Sequence, residues 1–201
     1  MRFFGSVLVT MLVIMDPPGA VPIFLAVTSK LSPSDRRKAA LQAVATAFLV
    51  IILFALAGQQ VLRYLKVSVD ALRGAGGLLL LLVAMQLLRG GGEAHDEALP
   101  EQRTSIAMVP LGTPLLAGPG AIVAVILFAR DAEGVAQWAQ LLGALVAVHG
   151  VLWLAMRFSS LVLRVIRETG VLLVTRVAGI LLAAIAVQMI ADAVIGFAGQ
   201  V

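Results

Sequence analysis

Cysteine is absent from this chain, and charged residues are scarce. With no thiol, the protein can form no disulfide and has no thiolate for metal binding or nucleophilic chemistry. Only 13% of the 201 residues are charged and 61% are hydrophobic, with a mean hydropathy of +1.04. Soluble domains carry about 25% charged residues, and disordered chains are poor in apolar ones. Both classes are therefore excluded, and the composition predicts an all-α integral membrane protein.

The motifs of common hydrolases, metalloenzymes and ATP-driven proteins are also missing. There is no Gly-x-Ser-x-Gly, no His-Glu-x-x-His and no phosphate-binding loop, and the chain has only two histidines. We therefore expect a protein that is not an enzyme and holds no cofactor or metal. The 15 Lys and Arg residues give a net charge of +4 but lie scattered between apolar runs. Nucleic-acid binding is not expected, and the basic residues fit membrane-protein loops better.

Six apolar stretches are long enough to cross a bilayer, which takes about 20 helical residues. The first is interpreted as a retained span and not a signal peptide, because no Ala-x-Ala site follows it and Asp16-Pro17-Pro18 interrupts it. The predicted spans are residues 4–28, 39–62, 71–88, 106–129, 135–156 and 171–197.

The distribution of basic residues between alternate loops predicts the orientation. An outside N-terminus puts ten Lys and Arg residues inside and five outside, so the positive-inside rule places both termini outside. The inner set is Lys30, Arg36, Arg37, Lys38, Arg89, Arg103, Arg157, Arg164, Arg167 and Arg176. The outer set is Arg2, Arg63, Lys66, Arg73 and Arg130.

The chain reads as two copies of one three-span unit. A shift of 101 residues lays Pro18-Gly19-Ala20-Val21 on Pro119-Gly120-Ala121-Ile122 and the second span on the fifth. A shift of 102 lays Gly77 on Gly179 and Gln86 on Gln188. Since each copy has three spans, the second must enter the membrane from the opposite face, as in many secondary transporters. The predicted units are residues 1–90 and 106–201, joined by a polar cytoplasmic linker, residues 91–105.

Proline and glycine are predicted to interrupt the first and fourth spans near mid-membrane. The first contains Asp16, Pro17, Pro18, Gly19 and Pro22, and proline removes a helix donor and clashes with the preceding turn. Two interrupted spans in corresponding positions favour a transport site, although proline kinks that serve only packing are the alternative. The fourth span contains Pro110, Pro114, Gly118, Pro119 and Gly120.

Asp16 is the sharpest single candidate, because an ionisable group inside a membrane is costly and usually functional. It could pair with a substrate ammonium group or carry a coupling proton, or it could simply accept amide donors of the half-helix that follows. Ala117 stands at the corresponding position of the second copy, so any carboxylate chemistry is one-sided.

Other polar or small residues in the spans carry weaker predictions. Gln86 and Gln188 either line the pathway or hydrogen-bond between helices. His149 corresponds to Phe48 in the first copy. It is interpreted as a packing histidine in preference to a proton relay. Glycines in the third and sixth spans, namely Gly74, Gly76, Gly77 and Gly179, are predicted to allow close helix packing.

These motifs resemble the MarC family of bacterial inner-membrane proteins. The similarity rests on Asp16-Pro17-x-Gly19-x-x-Pro22, on Pro110-Leu111-x-x-Pro114-Leu115-Leu116-Ala117-Gly118-Pro119-Gly120-Ala121-Ile122, and on Gly76-Gly77. The resemblance implies a multi-pass protein of the bacterial inner membrane with six helices, in the lysine-exporter-like transporter group. It further implies transport of small neutral amino acids such as alanine and glycine. Many members have Asn and Thr where this chain has Ala20 and Val123, which leaves the substrate open.

The sequence therefore predicts a secondary transporter that holds a small neutral amino acid between its two discontinuous helices, with coupling to H⁺ or Na⁺. The predicted binding residues are Asp16, Pro17, Pro18, Gly19, Pro22, Pro114, Gly118, Pro119 and Gly120. A carrier or channel for another small solute and a non-transporting membrane scaffold are the alternatives. The lipid bilayer is the expected partner besides the substrate, and a homo-oligomer stays open.

Overall fold

The computed structural model describes residues 2–28, 31–89 and 116–199, and the described residues are all-helical. The all-α prediction is confirmed for this part of the chain. Its seven helices are α1 (Arg2–Met15), α2 (Pro17–Val27), α3 (Pro33–Tyr64), α4 (Val69–Arg89), α5 (Pro119–Asp131), α6 (Gly134–Arg157) and α7 (Ser159–Ala198).

Five helical segments are long and apolar enough to cross a membrane. They correspond to the first, second, third, fifth and sixth predicted spans, so the multi-pass prediction is confirmed and these helices contact the bilayer. The five segments are Arg2–Leu25, Pro33–Tyr64, Val69–Arg89, Gly134–Arg157 and Thr169–Ala198.

Most of the predicted fourth span lies outside the described residues. Of that span and its surroundings the structure describes α5, whose 13 residues extend about 20 Å, less than the hydrocarbon core of about 30 Å. The linker at residues 91–105 also lies outside the described residues. Six spans and an inverted repeat therefore stay predictions.

Local sequence signals account for where several helices begin and bend. Ser32 caps α3, since its hydroxyl accepts from the Asp35 amide at 3.2 Å and donates to the Asp35 carboxylate at 2.7 Å, with Pro33 at the first helical position. The sixth predicted span is preceded by an extra helical segment from Ser159, and α7 bends at Arg167, where φ is 59°.

Helices α4 and α7 form the most extensive packing in the described structure. A β-carbon on Gly77 would lie 2.8 Å from the Ala186 carbonyl oxygen, and one on Gly179 would lie 3.3 Å from the Ala84 carbonyl oxygen. Both helices thus approach backbone to backbone, as small residues allow in membranes. The prediction that glycines permit close packing of these spans is confirmed at Gly77 and Gly179.

Two contacts define one end of the helix bundle. The Phe4 amide donates to Gln140 Oε1 at 3.3 Å, which joins the start of α1 to the first part of α6. Gly196, near the end of α7, lies directly against the carboxylate of Asp70 in the first turn of α4. Helices α1, α4 and α6 therefore begin at this end of the bundle, and α7 ends there. We call it the terminal end.

A shared pocket marks the opposite end, which we call the basic end. Arg36 from the start of α3 and Arg157 from the end of α6 both line it. Helix α3 has 32 residues, so about 48 Å separate its start from Tyr64 at the terminal end. The two ends are thus a full membrane thickness apart.

Candidate functional site

Asp16 separates α1 from α2 and adopts a left-handed backbone conformation, with φ of 38°. The following Pro17 accounts for the loss of right-handed helical backbone here, because proline disfavours that conformation in the residue before it. Hydrogen bonds continue on both sides, from the Asp16 amide to Leu12 O at 3.1 Å and from the Ala20 amide to Asp16 O at 3.0 Å. The predicted interruption of the first span is confirmed, and it is confined to one residue. Such a backbone costs about 1–3 kcal/mol, and residues of this kind cluster at functional sites.

The Asp16 side chain is buried, with the Gly19 amide and the Thr175 hydroxyl beside its carboxylate. It is 7% exposed, and neither carboxylate oxygen has a hydrogen bond of good geometry among the described residues. The Thr175 hydroxyl from α7 is likewise buried and makes no hydrogen bond of good geometry within the same part of the chain. Most buried polar groups in proteins are hydrogen-bonded, and an unpaired buried carboxylate is especially costly. A buried carboxylate and hydroxyl in this state mark a candidate site for a charged or polar ligand.

Gly19 brings these two groups together. A β-carbon at this position would collide with Asp16 Oδ2 and lie 3.1 Å from Thr175 Oγ1. Both oxygens therefore lie over the same point of the α2 backbone, one turn after the interruption. Any side chain larger than hydrogen would occupy the space that the carboxylate now fills.

A cavity of about 330 Å³ borders the interruption. This volume is at the lower end of the range of about 300–1,000 Å³ for small-molecule sites. Asp16 is the only polar residue of its lining among the described residues, and its carboxylate oxygens are themselves buried, so the surface of the cavity is almost entirely apolar. The lining residues are Leu12, Val13, Asp16, Pro17, Pro18, Val21, Val151, Ala155, Val162, Val174 and Ala178.

The second predicted motif approaches the first but does not line this cavity. Gly118 is the N-cap of α5 and Pro119 its first residue. Gly120 is buried, and a β-carbon there would lie 3.7 Å from Ile14, two residues before Asp16. Pro114 lies outside the described residues. The first turn of α5 thus packs on Leu80 of α4 and lies close to the end of α1.

The remaining predicted site residues are placed apart from the cavity lining. Pro22 is half-buried within α2. Gln86 and Gln188 lie on the outer surface of α4 and α7, where Gln188 Nε2 donates to Asp192 Oδ1 at 2.7 Å. A pathway role for the two glutamines stays a prediction.

His149 is buried in α6, with 4% exposure. Its Nδ1 lies 2.8 Å from Leu145 O, and its ring meets Phe48 edge-on at 5.0 Å. These contacts are those expected of a packing histidine. Nε2 has no partner among the described residues.

Thr175 is the site residue that the sequence analysis missed. The one available signal was a lone hydroxyl within the apolar run of the sixth span. The offset of 102 residues aligns it with Arg73, so the internal repeat gave no support.

The fold and site together define a polytopic membrane protein with a carboxylate at a helix interruption inside the bilayer. Comparison with known proteins identifies the family. Residues 1–198 match the model described as MarC family integral membrane protein, and the chain belongs to this family.

Curated relatives agree over almost their whole length. A UPF0056 membrane protein of Methanocaldococcus jannaschii is 35% identical over 91% of each chain, and one of Archaeoglobus fulgidus is 34% identical over 96% of this chain and 92% of the relative. The UPF0056 inner membrane protein YhgN of Escherichia coli K12 is 31% identical over 94% of each chain. No solved structure matches.

Proposed function

We propose that this protein is a secondary transporter of the inner membrane that carries small neutral amino acids, with alanine and glycine as the leading substrates. The observation that carries the proposal is the Asp16 carboxylate, which is buried at the helix interruption beside the cavity and has no hydrogen bond of good geometry among the described residues. An ionisable group in that position marks a substrate or ion pathway. The name of the E. coli relative supports the inner-membrane location.

Reciprocal contacts between α4 and α7 support two inverted three-helix repeats. Gly77 packs on the Ala186 carbonyl, and Gly179 packs on the Ala84 carbonyl. At the offset of 102 residues, Gly77 corresponds to Gly179 and Ala84 corresponds to Ala186. A two-fold axis between two copies of one unit produces such pairs, because residue i of one copy then meets residue j of the other and the reverse.

The edge-on contact of Phe48 and His149 gives further support. These residues correspond to each other at the offset of 101. Equivalent residues of two copies touch only where they lie at the two-fold axis itself. The axis would then pass between α3 and α6, as well as between α4 and α7.

The two ends of the bundle support a sixth crossing. Arg36 and Arg157 line one pocket at the basic end. Between these two residues the chain crosses the membrane three times in α3, α4 and α6. An odd number of crossings would separate the two residues by the membrane. Residues 90–133 therefore cross once more in our proposal, with α5 as the second half of an interrupted fourth span.

The proposed chemistry uses the two interruptions as opposite halves of one site. The Asp16 carboxylate, with the Thr175 hydroxyl beside it, pairs with the substrate ammonium group or carries the coupling H⁺ or Na⁺. The free amides in the first turn of α5, beginning at Gly120, bind the substrate carboxylate, because a helix N-terminus favours an anion. The apolar cavity wall suits a small uncharged side chain.

Counterflow in proteoliposomes tests this function. Vesicles preloaded with unlabelled alanine or glycine are expected to accumulate the labelled amino acid in a saturable manner, with an imposed H⁺ or Na⁺ gradient changing the initial rate. Flux that does not saturate would indicate a channel. Absence of exchange with either amino acid, in protein shown to be folded, would contradict the proposed substrate class.

A further inference from the structure

A second pocket, at the basic end, is unrelated to the Asp16 cavity. It has a volume of about 120 Å³ and lies where α3 begins, α6 ends and α7 begins. Its lining consists of Pro33, Arg36, Arg37, Met156, Arg157, Ser159 and Ser160. Three arginines from two separate segments thus line one small space, and the Arg157 guanidinium lies over the Phe158 ring at 5.2 Å. No acidic residue is among its lining residues.

Positive charge in this pocket is not neutralised by the described part of the protein. None of the three arginines lies within 4.0 Å of an aspartate or glutamate side chain that the structure describes, a set that leaves out Glu168 and residues 90–115. The nearby Asp35 carboxylate is exposed and accepts from the Ser32 hydroxyl instead. Arg36 donates to the Thr28 carbonyl at 3.2 Å, which fixes its side chain while its buried Nε stays unpaired in the described structure.

Hydrogen-bond donors of α7 complete the pocket. Ser159 is 2% exposed and lines the pocket. Ser159 and Ser160 are the first two residues of α7, so their backbone amides have no acceptor within the helix. An anion in the pocket would meet amides and the positive end of the helix dipole as well as guanidinium groups.

We infer that this pocket binds one phosphate group. Guanidinium groups match phosphate oxygens in pairs, and serine hydroxyls and helix amides supply further donors. The volume corresponds to about four water molecules at about 30 Å³ each, which suits a single phosphate group and not a nucleotide. Because the pocket lies at the ends of membrane-spanning helices, the phosphate of an anionic phospholipid can reach it from the bilayer, and free phosphate can reach it from solution.

The test compares two double variants that remove the same charge. Arg37→Gln with Arg157→Gln empties the pocket of two guanidinium groups but leaves Arg36 on Thr28. Arg63→Gln with Lys66→Gln removes two exposed charges at the terminal end. Each full-length protein, in a neutral detergent, is titrated with phosphatidylglycerol, with phosphatidylcholine and with inorganic phosphate. The readouts are the thermal unfolding midpoint and the number of lipids retained in native mass spectrometry.

The wild type and the terminal-end variant are expected to bind one phosphatidylglycerol, with saturation. The pocket variant is expected to bind about 25-fold more weakly, about fivefold for each charge near the membrane surface. Arg37→Lys with Arg157→Lys should restore part of the affinity, since charge returns without the paired geometry. Saturation by inorganic phosphate with the same variant pattern would identify free phosphate as the source. Equal binding by both double variants, or no saturable stabilisation of the wild type, would overturn the inference.

Discussion

Replacing Gly19 with alanine is expected to destabilise the protein and to disable its site through one contact. The new β-carbon would collide with Asp16 Oδ2 and lie 3.1 Å from Thr175 Oγ1. The Asp16 carboxylate is buried, so it must turn within packed surroundings to make room for the new methyl group. Overpacking of this kind costs about 1–3 kcal/mol. The helix propensity of alanine over glycine offsets up to about 1 kcal/mol of this loss.

A double-mutant cycle isolates the contact. In an Asp16→Ala background the colliding carboxylate is gone, so Gly19→Ala should become neutral or mildly stabilising. The coupling between the two positions is therefore expected to reach at least about 1 kcal/mol. Gly150→Ala is the matched control, because its β-carbon would meet nothing within 4 Å and should be neutral or stabilising.

Reversible unfolding in mixed micelles, followed by the fluorescence of the two tryptophans, gives the free energy of unfolding of the wild type, the two single variants, the double variant and the Gly150→Ala control. Gly19→Ala should also reduce counterflow of any substrate that the wild type carries. If Gly19→Ala were as stable as Gly150→Ala, or if its cost were unchanged in the Asp16→Ala background, the placement of the carboxylate over Gly19 would be refuted.

Three further predictions test the packing, the site and the topology. Gly77→Ala should cost about 1–3 kcal/mol of unfolding free energy, since its β-carbon would lie 2.8 Å from the Ala186 carbonyl oxygen, which as backbone cannot rotate away; wild-type stability would contradict the close approach of α4 and α7. Valine has nearly the shape of threonine but lacks its hydroxyl group, so Thr175→Val should leave the protein folded. Counterflow should fall about tenfold, which is the effect of losing one hydrogen bond of about 1.4 kcal/mol to a ligand. Unchanged counterflow would remove Thr175 from the site. The natural chain has no cysteine, so Ser160→Cys and Lys66→Cys each introduce a single thiol. A membrane-impermeant thiol reagent should reach the two thiols from opposite faces of the membrane, with Ser160→Cys on the cytoplasmic side. Labelling of both from one face would contradict the assignment of the two ends.

The interruption of the first span could be predicted because its cause is local. Pro17 acts on the residue directly before it, so the sequence alone locates the irregular backbone at Asp16. The sequence also predicted that glycines would bring α4 and α7 close together, since close helix packing in membranes requires small residues. Which backbone atoms they touch depends on the register of the two helices, which no local signal records.

The partnership of Asp16 with Thr175 could not be predicted for the same reason. It depends on how α7 is rotated against α2, and almost every residue of α7 near Thr175 is apolar, so periodicity gives no facing residue. Charge counting placed Arg36, Arg37 and Arg157 on one side of the membrane. Only the packing of α3 against α6 and α7 brings them to one pocket.

The most direct test of the central claim is counterflow of labelled alanine and glycine by Asp16→Asn beside Asp131→Asn. Both changes remove one carboxylate at nearly constant volume, but Asp131 is exposed at the end of α5. The account predicts wild-type exchange for Asp131→Asn. For Asp16→Asn it predicts a loss of at least about thirtyfold, the effect of removing a buried charge partner worth about 2 kcal/mol or more, in a protein that still unfolds cooperatively. Equal exchange by the two variants would contradict a substrate or ion site at Asp16.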